Sequence, residues 1–236
     1  MLAALFPQAT LLRWRRQRLA RQTSESSLKA FLQAPLPDLQ ADWRRQQFLV
    51  IDFETTGLDA ERDKLLSMGW VVMNGPEIEL GSAHYNIIRP DVEIPEQSAV
   101  IHGITDDKAA YGIEIAQALS DLLAALTDRI LVAHNARLEM AFLQAACQQL
   151  WGGKLALPVI DTMTLARQSF EKRHLPYRQD ALRLDSLRQR FGLPRYRAHH
   201  ALNDALATAE LFAALVEDRL GPGETLPVSK LLAPIW

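Results

Sequence analysis

The segment L-V-I-D-F-E-T-T-G-L-D, residues 49–59, constrains this chain more than any other stretch. Leu49, Val50 and Ile51 form a continuous apolar run, the mark of a strand covered on both faces. Asp52 and Glu54 follow two residues apart. Strand side chains alternate faces, so both carboxylates point the same way. The fold must bury this strand and still present two like charges side by side at its end, where they repel and lose hydration. A divalent cation between them would resolve the conflict. A solvated strand end whose acids happen to alternate is the plainer alternative.

Composition narrows the class. The chain has 236 residues, 48% apolar and 23% charged, which is the make-up of a globular protein with ample length for a core. No apolar run approaches the roughly 20 residues of a membrane-spanning helix. The N-terminal segment places its apolar residues before its arginines, the reverse of a secretory signal. Cys147 is the single cysteine, which excludes an internal disulfide framework and fits a reducing compartment; its setting, F-L-Q-A-A-C-Q-Q-L, reads as a helix with a small buried filler. The expected location is cytoplasmic, with no membrane association. A net charge of −2 carries no overall basic signature for nucleic acid, so charge is judged locally.

Residues 1–46 read as a helical N-terminal extension in which Arg13, Arg15, Arg16, Arg18 and Arg21 crowd together. It reads as an amphipathic helix pair packed on the domain or as an arm for nucleic acid or a partner. Strand-like runs follow at 48–54, 64–73 and 79–88, with N-G-P at 74–76 as turn chemistry, so an antiparallel meander is expected. Apolar residues then recur at three- and four-residue spacing through G-I-E-I-A-Q-A-L-S-D-L-L-A-A-L, a helix. R-I-L-V-A at 129–133 is a short buried strand, a helix is expected over 135–150, and P-V-I-D at 158–161 is a fifth strand. Further helices are expected over 162–170, 181–191 and 200–219, and residues 220–236 as a short C-terminal tail. Meander followed by alternating helix and strand predicts a mixed five-stranded α/β sheet flanked by helices.

Acids recur at two more element ends. In A-H-N-A-R-L-E-M-A-F-L, His134 ends a strand, Asn135 is an N-cap type of residue, and Glu139 sits one turn into the helix. In Y-R-A-H-H-A-L-N-D-A-L-A-T-A-E-L, Asp204 lies at the edge of an apolar stripe through Leu202, Leu206, Ala209, Leu211 and Phe212, where an unpaired carboxylate is costly. His199 precedes that helix, and an imidazole can take a proton near neutral pH.

Together, I-D-F-E-T-T-G-L, H-N-A-R-L-E-M-A-F-L and H-H-A-L-N-D-A resemble the three motifs of the DnaQ-like (DEDDh) 3′→5′ exonuclease family, and I-H-G-I-T at 101–105 resembles a segment common between its first two. The resemblance covers about residues 47–216 of an exonuclease domain read over 47–219, extends to the exonuclease domain of the DNA polymerase III epsilon subunit, and implies an RNase H-like fold. It implies that Asp52, Glu54 and Asp204 are metal ligands, that His199 rather than His200 is the general base, and that Thr55, Thr56 and His102 contact the terminal nucleotide. One position departs: the second motif usually ends in aspartate, and Glu139 stands there. Glu139 keeps the charge with one more methylene, either holding the second metal or weakening it.

Phosphodiester hydrolysis wants convergent hard oxygen ligands for two divalent ions about 3.5–4 Å apart, so Mg2+ or Mn2+ is expected rather than zinc. The expected partners are single-stranded DNA or RNA 3′ ends, DNA favoured, with nucleoside 5′-monophosphates released. Arginines and lysine between Arg167 and Arg197 form a basic stretch that could meet phosphates, with Tyr177 and Tyr196 as candidate stacking residues. A stand-alone or repair role is preferred to polymerase association, because only about 16 residues follow Leu220. An oligoribonuclease-type enzyme, or a weakened nucleic-acid-end binding protein, are the alternatives.

Overall fold

In the computed structural model, which describes residues 8–221 and 223–234, a five-stranded mixed sheet carries helices on both faces. The order is β3-β2-β1-β4-β5, with β1 (Gln47–Thr55), β2 (Leu65–Asn74), β3 (Glu77–Ile87), β4 (Ile130–Ala133) and β5 (Val159–Asp161). The first three strands form the antiparallel meander, while β4 and β5 run parallel to β1.

β1 is covered on both faces, as its apolar run required. Leu49, Ile51 and Phe53 enter one core layer, with helices α5 (Ile115–Leu126) and α6 (Arg137–Trp151). Phe48 and Val50 enter the other, with α7 (Thr162–Lys172) and the long α9 (Ala201–Glu217). Alternation therefore puts Asp52 and Glu54 on the α9 side. Phe212 anchors that layer, edge-on to Phe48 at 5.0 Å and to Trp43 at 5.8 Å between ring centroids.

The structure adds and corrects elements. Two short helices, α3 (Glu96–His102) and α4 (Asp106–Ala109), lie where only the I-H-G-I-T motif was marked. The helix expected over 181–191 divides into a 3-10 turn at Gln179–Leu182 and α8 (Leu184–Arg190). Asn135 does not cap α6 with its side chain: it adopts φ +65°, α6 starts after Ala136, and the Asn135 N–H donates to Asp161 Oδ1 at 2.9 Å. Asparagine is used here for its tolerance of left-handed backbone rather than for its side-chain acceptor.

The N-terminal helices α1 (Gln8–Ala20) and α2 (Ser26–Gln33) pack on the sheet domain; Ala20, Leu28, Phe31 and Leu32 share a core layer with Leu49 and Ile51. Arg16 is buried between them, its guanidinium donating to the carbonyls of Ala156, Phe31 and Ala34. Burial alone pushes its pKa down to about 10. At the other end, Val228 and Leu231 are buried and the Ala233 N–H donates to Val159 O at 2.8 Å. No helix among the described residues is long and apolar enough to cross a membrane.

Replacing Phe212 with alanine should cost about 3–5 kcal/mol, since a fully buried aromatic leaves a cavity that its neighbours cannot fill. Urea denaturation would read this as a lower midpoint at unchanged slope; a loss under 1 kcal/mol would mean that α9 is not held by this contact.

Candidate active site

Asp52 and Glu54 on β1 meet Asp204 in the first turn of α9, with one carboxylate oxygen from each lying within 4.8 Å of the others. This meeting depends on Gly69. Gly69 sits opposite Asp52 in the β1–β2 ladder. A Cβ built at Gly69 would lie 2.2 Å from Leu202 N and 2.4 Å from Ala201 C, so the start of α9 rests directly on the bare backbone of β2. The helix contributes small residues to the same approach: Ala201, Ala205, Thr208 and Ala209 are buried, whereas Leu202 and Leu206, expected on the buried stripe, are only half-buried. The sequence signal for Gly69 was a glycine inside an otherwise largely apolar strand, a common mark of close backbone approach.

Asp204 is gripped by the turn before α9. The N–H groups of His199 and His200 donate to its Oδ2 at 2.7 and 3.3 Å. Two successive amides can aim at one oxygen because His199 takes a left-handed conformation, φ +61°. The same turn leaves the His199 side chain exposed beside the acids.

Glu139 is buried in the first turn of α6 and lies outside the tight group of three acids, and its Oε2 has no hydrogen-bond partner. It is near enough to act on Asp52. Burial first, then the charges of Glu139, Asp204 and Glu54, hold the Asp52 carboxyl well above its ordinary range. Burial raises Glu54 to about 7, helped by Asp204, and raises Glu139 to about 8, helped by Asp161. Burial also raises Asp204, against the pull of the two amides. Among the described residues, no lysine, arginine or histidine forms an ion pair with any of these acids. Uncompensated carboxylates converging at this spacing fit a hard divalent cation, and the unpartnered oxygen of Glu139 adds a further donor.

The expected nucleotide contacts are committed locally. Thr55 Oγ1 donates to Gly57 O at 2.5 Å, and Thr56 Oγ1 donates to Asp63 Oδ1 at 3.2 Å while accepting from Lys64 N at 2.9 Å. His102 Nδ1 accepts from Ile104 N at 3.0 Å, so its Nε2 carries the proton that meets Ser98 Oγ at 2.8 Å; Ser98 in turn donates to Thr55 O at 3.0 Å. Both ring nitrogens are therefore engaged in pinning α3 to the end of β1. Burial, then the nearby His199, lowers the His102 pKa.

Two acids went unmarked as site residues in the sequence. Asp161 accepts from the N–H groups of Asn135 and Met163 and from Thr164 Oγ1, tying β5 to the start of α6 and so to Glu139. Asp185, in the first turn of α8, lies close enough to raise Asp204. Asp161 was legible as an acid capping a helix, but only the fold reveals what it caps. Arg188, counted in the basic stretch, is a structural residue: it is buried and donates to Ala207 O, Pro194 O and Glu210, whose carboxylate also accepts from Tyr196 Oη.

The exonuclease family model of the RNase T type matches residues 49–212, which include every one of these acids. The chain belongs to this exonuclease family. It is 33% identical to the DNA polymerase III subunit epsilon of Treponema pallidum over 171 residues, covering 72% of this chain and 76% of that protein. It is 36% identical to the PolC-type DNA polymerase III of Thermotoga maritima over 170 residues, again 72% of this chain but only 12% of that much longer protein. Among solved structures, the nuclease domain of 3′hExo, a DEDDh family member bound to rAMP, superposes with a TM-score of 0.63 at 17% identity, covering 75% of this chain and 95% of that one. Exonuclease I of E. coli in complex with a dT13 oligonucleotide gives 0.62 at 21% identity, covering 74% and 41%. The mixed five-stranded sheet is thus the RNase H-like fold of DEDDh exonucleases.

Gly69→Ala should push the first turn of α9 off β2 and displace Asp204, cutting nuclease turnover by about a hundredfold or more, as an ångström of misplacement does. Gly81→Ala, with nothing within 4 Å, is the control and should leave the rate unchanged. Equal rates in both variants would remove Gly69 from the account. The raised carboxyls also make the metal-free protein pH-sensitive. Glu54 and Glu139 ionise at about 7 and 8 in the folded chain against 4.5 when unfolded, so the folded state holds extra protons between these values. The melting temperature in EDTA should therefore fall as pH rises from about 5 to 8, and Glu139→Gln should flatten that fall. A melting temperature that rises over this range would contradict the electrostatics.

Proposed function

We propose that this chain is a metal-dependent 3′→5′ exonuclease that degrades single-stranded nucleic acid, DNA in preference to RNA, and releases nucleoside 5′-monophosphates. The observation that carries the reading is the cluster of Asp52, Glu54 and Asp204, buried or half-buried and without a basic partner among the described residues, beside the orphaned carboxylate of Glu139. Two divalent cations, Mg2+ or Mn2+, held by these four acids would supply charge stabilisation for the attacking water, the phosphoryl group and the leaving 3′-oxygen.

The remaining work falls to the chain's own residues. His199 accepts the proton of the attacking water, from an exposed imidazole whose backbone is fastened to Asp204. The amides of His199 and His200 hold the Asp204 carboxylate in one orientation. His102, braced by Ser98 and Ile104, forms a fixed wall at the end of β1, and Thr55 and Thr56 shape the turn beneath the terminal nucleotide. Glu139, buried at the start of α6 with one carboxylate oxygen unpartnered, would be the ligand for the second cation. The preference for DNA draws support from the likeness to exonuclease I complexed with a deoxyoligonucleotide. A ribonuclease is the second reading, because 3′hExo, bound to rAMP, superposes as well.

A time course on 5′-labelled single-stranded DNA and RNA tests this. A ladder shortening from the 3′ end with Mg2+ or Mn2+, and not with EDTA, is expected, faster on DNA. Asp52→Asn and Asp204→Asn should each lower the rate about a thousandfold or more while the chain stays folded, since removing one of several repelling acids relieves strain. His199→Ala should lower it about 10²–10⁴-fold with Mn2+ affinity retained. Full activity in Asp204→Asn would sink the site assignment. Glu139→Asp should slow turnover, because the shorter side chain withdraws from a site built around the glutamate; faster turnover would mark the glutamate as a tolerated defect.

A further inference from the structure

The N-terminal helices carry a concentration of positive charge that the catalytic site does not use. Residues 8–24 contain Arg13, Arg15, Arg16, Arg18 and Arg21 and no aspartate or glutamate. Arg16 is spent on the fold, but Arg13, Arg18 and Arg21 are exposed, as is Lys29 on α2. Arg13, Arg21 and Lys29 line a cleft of about 780 Å³ between α1 and α2, and no carboxylate lines it among the described residues. On another flank of α1, Arg15, Arg18 and Lys154 line a smaller depression of about 420 Å³ together with Trp14. Trp14 is 58% exposed and lies beneath the Arg18 guanidinium, 5.7 Å from its ring centroid.

A large exposed aromatic beside unpaired cations matches one ligand class closely: a base stacks on the ring while the adjoining phosphates meet the guanidinium groups. Because Arg16 donates to three carbonyls, the two helices are locked together and the cationic cleft is preformed. The patch has a defined place relative to the proposed catalytic acids. Glu139 is in the first turn of α6, and Lys154 follows that helix's other end at Trp151. The helix rises about 18 Å from Glu139 to Trp151, or some five nucleotides at the 3.4 Å spacing of a stacked strand.

We propose that the basic surface of α1 and α2, with Trp14, is an accessory binding site for single-stranded polynucleotide, gripping the strand several nucleotides upstream of the 3′ end in the active site. The inference rests on the exonuclease reading for its substrate class, and it assigns the N-terminal helices a role in holding long substrates rather than in chemistry. It implies that strands long enough to reach both sites bind more tightly and are degraded more processively than short ones.

The test compares the wild-type chain with the combined variant Arg13→Gln, Arg21→Gln, Lys29→Gln and with Trp14→Ala, all at exposed positions. Binding of a fluorescent 20-nucleotide oligothymidylate is followed by anisotropy in EDTA across a salt series. Turnover of a trinucleotide, too short to reach α1, is followed with Mn2+. In the charge variant the 20-mer should bind at least tenfold more weakly at low salt, with a log–log salt slope shallower by about 2, as loss of three phosphate contacts from a single strand requires. Trp14→Ala should weaken the 20-mer severalfold with the slope unchanged, and trinucleotide turnover should stay within twofold of wild type in both. Wild-type affinity and slope for the 20-mer in the charge variant would overturn the proposal. So would loss of binding to phosphatidylserine vesicles with oligonucleotide binding intact, which would make the patch a membrane surface. If the wild-type chain cleaves neither the trinucleotide nor, with Mn2+ in place of EDTA, the 20-mer, the exonuclease reading fails, while the anisotropy series still decides whether this surface holds single strands.

Discussion

The acid-bearing end of this molecule depends on one close contact, the seating of the first turn of α9 on the backbone of β2 at Gly69. Asp52 and Asp204 come from positions about 150 residues apart in sequence, and nothing local brings them together. Gly69 stands opposite Asp52 in the sheet, and the alanine-rich underside of α9 lets the helix settle there. The left-handed turn at His199 follows from the same placement: once Asp204 is fixed beside β1, the preceding amides close on it. Packing by small residues thus sets the spacing of charged ones.

That spacing is unfavourable to the empty fold. Four acids are drawn into one end of the sheet, burial raises all of them, and among the described residues no lysine, arginine or histidine forms an ion pair with them. The core has to carry the cost, and it is built to do so: β1 is sealed on both faces, and Phe212 ties α9 to Phe48 and Trp43. A buried arginine among these acids would have relieved the strain and removed the capacity to hold cations. The two arginines buried among the described residues, Arg16 and Arg188, instead spend their guanidinium groups on backbone carbonyls and, for Arg188, on Glu210.

Much of this was legible in the sequence. The five strands, the meander and the order of helices followed from alternation, apolar runs and turn residues, and the exonuclease family followed from motifs that recur in order. What escaped depended on neighbours distant in sequence. Asn135 carries two talents, capping and left-handed backbone, and only the position of Asp161 decides which is used. Arg188 reads as one more surface cation until α9 delivers Ala207 and Glu210 to it. The short helices α3 and α4 lack an apolar period, and α3 is held by side-chain bonds such as Ser98 to Thr55 that no local pattern encodes. Gly69 gave a hint, but the object it accommodates lies more than a hundred residues away.

The central claim is that the acids of β1, α6 and α9 form one divalent-metal site. A crystal structure of the protein soaked with Mn2+ and a nucleoside 5′-monophosphate, with anomalous differences recorded for manganese, tests it directly. The account predicts an anomalous peak among the carboxylates of Asp52, Glu54 and Asp204, with Glu139 turned toward a second ion and the nucleotide phosphate between the metals and His199. A protein that binds manganese elsewhere, or leaves these acids metal-free at millimolar Mn2+, would contradict it.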